Sequence, residues 1–222
     1  MRLGTVTIGQ SPRSDIMPEL LAAVGREVEV IECGALDDLD RREIDELAPV
    51  QGDYPLVSRL RDGSEVRLAE RHVIERLKNC IRKLERQAIE LVILLCTGEF
   101  PHLTASCPVL KPDRLLVHVI SGITESGTLG VIVPMPQQQE VMKPKWQRTG
   151  LDVVSAAASP YSSTEAELAE AARRLKASGA TLVVLDCLGF GSQHARIVRR
   201  ESGLPVLVPR TLLGRIAAEL MP

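Results

Sequence analysis

The sequence predicts an α/β protein of two pseudo-symmetric lobes, each a mostly parallel sheet flanked by helices, with a β-hairpin inserted in the first lobe. Three observations carry this. Leu91 to Gly98 (LVILLCTG) and Leu182 to Gly189 (LVVLDCLG) share one form, an apolar run, then Cys, one residue and Gly, and Cys96 and Cys187 lie 91 positions apart. Arg82-Lys83-Leu84 and Arg173-Arg174-Leu175 match upstream at the same offset. Leu129 to Gln138 then repeats the character of Leu3 to Pro12, a strand followed by a loop with Pro and Gln. Apolar, β-branched runs between helical patterns read as parallel strands covered on both faces.

In chain order, residues 2–9 form the first expected strand, and Gln10 to Asp15 the polar loop at its carboxyl end. Ser14 or Asp15 is the expected cap of a helix with Ile16, Leu20, Leu21 and Val24 at helical spacing. Val28 to Cys33 is a second strand. An acidic segment, Leu36 to Leu47, precedes Leu56 to Leu68, whose central Asp62-Gly63 marks a hairpin turn. Nothing in the second half corresponds to it, and a lid, an edge or a dimer contact all fit. A helix over about His72 to Ala88 leads to the first cysteine strand, which runs into Thr97 to His102 and the loop holding Cys107. A strand is expected at Leu115 to Val119, and Ser121 to Gly127 reads as the crossing between lobes. The second half repeats the order: a strand from Leu129, a helix to about Thr149 anchored by Trp146, and a strand at Leu151 to Ser155. Thr164 and Glu167 form a capping box for a helix to Ala177, the Cys187 strand follows, and Ser192 is the expected cap of the next helix. Val206 to Val208 leads into a last helix begun by Pro209. The expected organisation is a first lobe over 1–122 with its insertion at about 36–70, a second over 123–208, and a terminal helix over 209–222 packing across them.

Composition narrows the function classes. A formal net charge of −2 and 2% aromatic residues supply neither the basic footprint nor the stacking platforms of a nucleic-acid binder. No apolar run reaches bilayer length and no signal-peptide pattern opens the chain, so no membrane partner is expected and the location is read as cytoplasmic. Five cysteines without framework spacing argue for reduced thiols, and with no CxxC pair and four scattered histidines no metal site is expected.

Ligands of open α/β sheets bind outside the carboxyl ends of the strands, where both cysteines stand. A glycine beyond each lets backbone turn or approach a ligand closely. Two thiols on opposite sides of one carbon can move a proton without a cofactor, one thiolate removing it from the position α to a carboxylate and the other thiol returning one. The carbanion needs donors, which the loops at Gln10-Ser11, Thr97-Gly98, Pro136-Gln137-Gln138 and Gly189 could supply. Arg13 suits bidentate carboxylate recognition, though a surface arginine fits equally. Glu99 is either a base or a surface carboxylate, and His194 either a catalytic group or a polar residue of a first helical turn. Asp186 is placed by strand alternation on the face opposite Cys187. Gly189-x-Gly191-x-x-His194 is a weak nucleotide signal without its third glycine.

These features resemble the aspartate/glutamate racemase superfamily, and IGQSPRSD, LVSRLRDGSEV, LLCTGEFP and LDCLGFG are similar to its AroM family branch. The resemblance implies a site between two lobes, with Cys96 and Cys187 as the acid/base pair. The superfamily commonly carries Cys-Asn-Thr and Gly-Cys-Thr; here Cys96 precedes Thr97-Gly98-Glu99, and Cys187 lies between Asp186 and Leu188. Familiar donors are thus absent, so isomerisation, decarboxylation or lysis of another carboxylate is as open as racemisation. The resulting expectation is a cofactor-independent racemase- or isomerase-type enzyme acting on a small carboxylic acid. Competing expectations are a non-catalytic carboxylate-binding or regulatory protein, and a redox sensor closing Cys96 to Cys187. A homodimer through the hairpin remains open.

Overall fold

In a computed structural model, residues 2–100 and 103–221 are described. Pro101 and His102, placed by the sequence in the loop after Cys96, lie outside the described residues. The elements, in order, are β1 (Arg2–Thr7), α1 (Met17–Val24), β2 (Glu29–Gly34), α2 (Arg41–Asp45), β3 (Pro55–Arg59), β4 (Glu65–Ala69), α3 (Glu70–Glu85), β5 (Leu91–Leu94), β6 (Val109–Leu110) and α4 (Pro112–Ile123). There follow β7 (Thr128–Val133), α5 (Gln138–Val141), α6 (Lys143–Gln147), β8 (Asp152–Ala157), α7 (Glu165–Ala177), β9 (Leu182–Leu185), α8 (Ser192–Ser202), β10 (Val206–Leu207) and α9 (Pro209–Leu220). Two compact units result, one of Met1–Pro112 with Leu213–Pro222, the other Asp113–Leu212.

The first unit holds a parallel sheet of order β2-β1-β5-β6 and the antiparallel hairpin β3-β4. The second holds a parallel sheet of order β10-β9-β7-β8, the same arrangement once β7, β8, β9 and β10 are matched to β1, β2, β5 and β6. Equivalence extends to packing. An added Cβ on Gly4 would lie 3.0 Å from Leu84 and Ile89, and one on Gly130 would lie 3.2 Å from Leu175 and 3.1 Å from Ala180. Both glycines let the helix that precedes the cysteine strand, α3 or α7, settle onto an inner strand. The offset is 126 from Gly4 to Gly130 but 91 from Leu91 to Leu182, and this 35-residue difference reflects the segment containing the hairpin.

The elements follow from local chemistry. Helix α3 buries Val73, Leu77, Cys80, Ile81 and Leu84 at helical spacing. Thr164 and Glu167 close the expected capping box of α7, and Asp40 with Glu43 closes another on α2. The hairpin turns at Gly63, whose φ of 91° suits glycine, and Asp62 accepts the Ser64 N–H at 2.8 Å.

Several sequence expectations are corrected. Leu115 to Val119 lies within helix α4, not a strand: Leu116, Val117 and Ile120 are buried while Arg114 and His118 are exposed, a helical rather than alternating pattern. The edge strand is instead Val109–Leu110, and Ser121 to Ile123 form the end of α4. The helix expected to reach Thr149 is two short ones, α5 and α6, with Pro144 in the first turn of the second. Neither Ser14 nor Asp15 caps α1, whose N-cap is Ile16 without a side-chain bond. Gly191 replaces Ser192 as N-cap of α8. Among the described residues, no helix is long and apolar enough to cross a membrane.

Candidate active site

In each unit the loops leaving the two central strands share one sheet edge. In the first unit, Leu95 N–H donates to the Val6 carbonyl at 2.7 Å, carrying the chain from β5 to Cys96 beside the end of β1. Gly98 N–H then turns back to donate to Cys96 Sγ at 3.4 Å. In the second unit, Asp186 N–H donates to the Ile132 carbonyl at 2.8 Å, and Gly189 N–H donates to Cys187 Sγ at 3.4 Å. Both thiols are nearly buried, 9% exposed at Cys96 and 8% at Cys187. N–H donation to sulfur favours a charged thiolate over a neutral thiol. Each glycine is also closely approached: a Cβ on Gly98 would meet the movable end of Leu56 at 2.9 Å, and one on Gly189 would meet Tyr161 at 2.5 Å.

The β1 loop is held by the protein's own acids. Ser11 donates from its N–H and hydroxyl to Asp37 at 2.7 and 2.6 Å, and Gly34 N–H adds a third bond at 2.7 Å. Arg61 from the hairpin reaches the same carboxylate at 2.9 Å and the Ser11 carbonyl at 2.5 Å. Gln10 donates to the Leu36 carbonyl and accepts from Arg61 N–H. Arg13 is buried rather than on the surface. It forks onto Asp15 at 2.9 and 2.8 Å and donates to Thr7 and Ser58 hydroxyls. Burial opposes the Asp15 charge, yet the Arg13 bonds outweigh it and hold its pKa below the ordinary value. Gln10, Ser11 and Arg13 therefore shape this loop through bonds to their own chain. The hairpin lies against it, since a Cβ on Gly9 would fall 2.4 Å from Ser58 Oγ and 2.6 Å from the Arg59 carbonyl.

Thr97 and Gly98 are buried, and Glu99 is half-buried. Burial, and then the Glu99 charge, raise the pKa of Glu70 at the start of α3, placing the two carboxylates within electrostatic reach. In the second unit, Pro136 and Gln137 are exposed. Pro136 lines a cleft of about 510 Å³ with Ser155, Glu167 and Arg174; His194 lines another of about 520 Å³ with Thr164, Gln193 and Arg196, and Ser163 lines both. His194 accepts the Gly191 N–H on Nδ1 at 3.0 Å and meets Phe190 edge-on at 5.4 Å, an arrangement that secures the first turn of α8.

Two side chains of the second unit, Arg210 and Lys145, carry no signal in the sequence. Arg210, in the first turn of α9, is buried and donates to the Leu188 carbonyl at 2.9 Å and to that of Gly189. Asp186 turns to α6, where Lys145 Nζ donates to both carboxylate oxygens at 2.8 Å and Trp146 Nε1 to one at 2.7 Å. Among the described residues, no group of three or more His, Cys, Asp or Glu is placed to hold a metal ion.

Two four-stranded parallel sheets of matching order, each with an inner strand ending in Cys-x-Gly, define a duplicated α/β fold of the Asp/Glu racemase type. Glutamate racemase from Aquifex pyrophilus superposes with a TM-score of 0.62 at 15% identity, over 100% of this chain and 84% of that one. Maleate cis-trans isomerase from Nocardia farcinica gives 0.62 at 15% identity, over 99% and 92% of the two chains. An arylmalonate decarboxylase gives 0.53 at 14% identity, over 98% and 90%. No curated protein matches by sequence. Residues 3–221 match the family described as AroM protein, and the chain belongs to that family.

Proposed function

We propose that this protein is a cofactor-independent enzyme of the racemase or isomerase type, acting on a small carboxylic acid with Cys96 and Cys187 as its acid/base pair. The supporting observation is the repeated thiol geometry: two cysteines at equivalent strand ends, each accepting N–H from the glycine two residues on at 3.4 Å. Core packing alone calls for a small apolar group and gives no reason to repeat an N–H donor at each sulfur. In the proposed reaction one thiolate removes the proton α to the carboxylate, leaving a carbanion, and the other thiol delivers its own proton. The sulfurs exchange protonation states and no electrons are lost. That the fold is shared with a racemase, an isomerase and a decarboxylase supports carbanion chemistry on carboxylic acids as the common theme.

The test is solvent-deuterium exchange followed by NMR over a panel of amino, hydroxy, dicarboxylic and shikimate-related acids. Exchange at one carbon, lost in both Cys96→Ser and Cys187→Ser while each variant unfolds within about 1 kcal/mol of the wild type, is the expected result. No exchange with any acid would move the protein to the carboxylate-binding reading, and exchange unchanged in either variant would remove that cysteine from the acid/base pair.

A further inference from the structure

A second pair of cysteines stands apart from the proposed chemistry. Cys33 begins the buried end of β2, and Cys80 lies on the inward face of α3, 47 residues further on. Their Sγ atoms are 2.7 Å apart. Such separation is inside van der Waals contact and about 0.7 Å longer than a disulfide bond. Both residues are in the first unit and nearly buried, 8% exposed at Cys33 and 3% at Cys80. Both belong to an apolar cluster that includes Leu77, Ile81 and Leu84, with Asp37 and Lys83 in electrostatic reach. Among the described residues, no third His, Cys, Asp or Glu is gathered with them as a metal site would require.

We infer that Cys33 and Cys80 are a redox-active dithiol which a hydroperoxide converts into an intrachain disulfide tying β2 to α3. The inference does not depend on any role for Cys96 or Cys187. In the first step the Cys33 thiolate attacks the O–O bond of hydrogen peroxide, becoming a sulfenic acid as hydroxide leaves. In the second, Cys80 sulfur attacks Cys33 sulfur; its proton leaves with the sulfenic hydroxyl as water. Two thiols are oxidised and one peroxide reduced. The order follows from the two thiols' surroundings: contact with Cys80 outweighs burial and holds the Cys33 pKa below the ordinary value, while the same contact, with burial, pushes that of Cys80 up. Cys33 is also the more exposed of the two, as the first attacker should be.

The position gives the bond a structural consequence. Gly34, next to Cys33, donates its N–H to Asp37, and Asp37 holds Ser11. A disulfide would therefore fix the strand end that anchors the β1 loop, closing a loop between residues 33 and 80.

The test uses the full-length protein. It is reduced, freed of reductant, treated with a small molar excess of hydrogen peroxide, then unfolded in N-ethylmaleimide and mapped by mass spectrometry without reduction. The expected product is one linked peptide pair holding Cys33 and Cys80, lighter by two hydrogens, reversed by dithiothreitol and absent from Cys33→Ser and Cys80→Ser. The oxidised protein should melt about 5–10 °C higher than the reduced one. A Cys96→Ser/Cys107→Ser/Cys187→Ser variant, which keeps only this pair, should form the same link. Full maleimide labelling of Cys33 and Cys80 after peroxide, while half-exposed Cys107 is oxidised, would overturn the inference. So would a link that forms only with a lowered melting temperature, because native packing would then oppose the bond.

Discussion

Replacing Lys145 with methionine removes the cation from a fully buried ion pair and leaves Asp186 facing an apolar side chain of similar length. Lys145 Nζ lies 2.8 Å from both Asp186 oxygens and both side chains are 0% exposed, so water cannot replace the lost donor. One-sided removal of a buried pair costs about 3–5 kcal/mol. At about 2–4 °C per kcal/mol for a chain of this size, that lowers Tm by about 6–20 °C. The protein has one tryptophan, Trp146, whose Nε1 donates to the same carboxylate and whose ring centroid lies 4.5 Å from Lys145 Nζ. Its emission in a urea titration therefore reports the unfolding of the second unit at the perturbed site. Lys145→Met/Asp186→Asn keeps an acceptor for the indole N–H while removing both charges, and should recover at least half of the loss. A loss below about 1 kcal/mol in the single variant, or no recovery in the double, would refute the view that the Asp186 charge depends on Lys145.

Gly189→Ala should cost about 1–3 kcal/mol, because its Cβ would fall 2.5 Å from the Tyr161 ring and 2.6 Å from Pro160. Gly98→Ala meets the movable end of Leu56 at 2.9 Å and should cost under about 1 kcal/mol; equal losses in urea titrations would contradict both distances. Asp15 is ionised more readily folded than unfolded, so its contribution is fully present above about pH 4 and is lost as pH falls through its lower folded value. Arg13→Met should bring acid unfolding to higher pH and cost about 3 kcal/mol at neutrality, read by circular dichroism, whereas an unchanged acid transition would show that Arg13 does not hold Asp15. Glu70 has the opposite sign: its raised folded pKa means that the ionised form costs stability at neutral pH and that stability is regained as pH falls through that value. Glu99→Gln should lower the Glu70 carboxyl titration seen by NMR, and no change would separate the two groups.

Local patterns were legible in the sequence wherever one short-range force decides the outcome. The duplicated Cys-x-Gly strand ends, the Asp62-Gly63 turn, the Thr164 capping box and the apolar stripe of α3 each express a period or a cap complete within a few residues. Leu115 to Val119 misled because two valines around one histidine mimic strand alternation; the burial of Leu116, Val117 and Ile120 is set by what lies beneath the helix. Arg13 is the sharper case for the candidate site. A guanidinium at a strand end is chemically fit to hold a ligand carboxylate, and only the folded chain shows Asp15 already in its fork. Likewise Ser11 meets Asp37 across 26 residues, Lys145 meets Asp186 across 41, and Cys33 meets Cys80 across 47. The sequence by itself determined the repeat, the strand-end thiols and their glycines, since backbone sterics and periodicity act between neighbours. Which polar groups are bound by their own chain was decided by tertiary structure alone, because a buried charge takes whichever partner the packing of distant segments brings within hydrogen-bond reach.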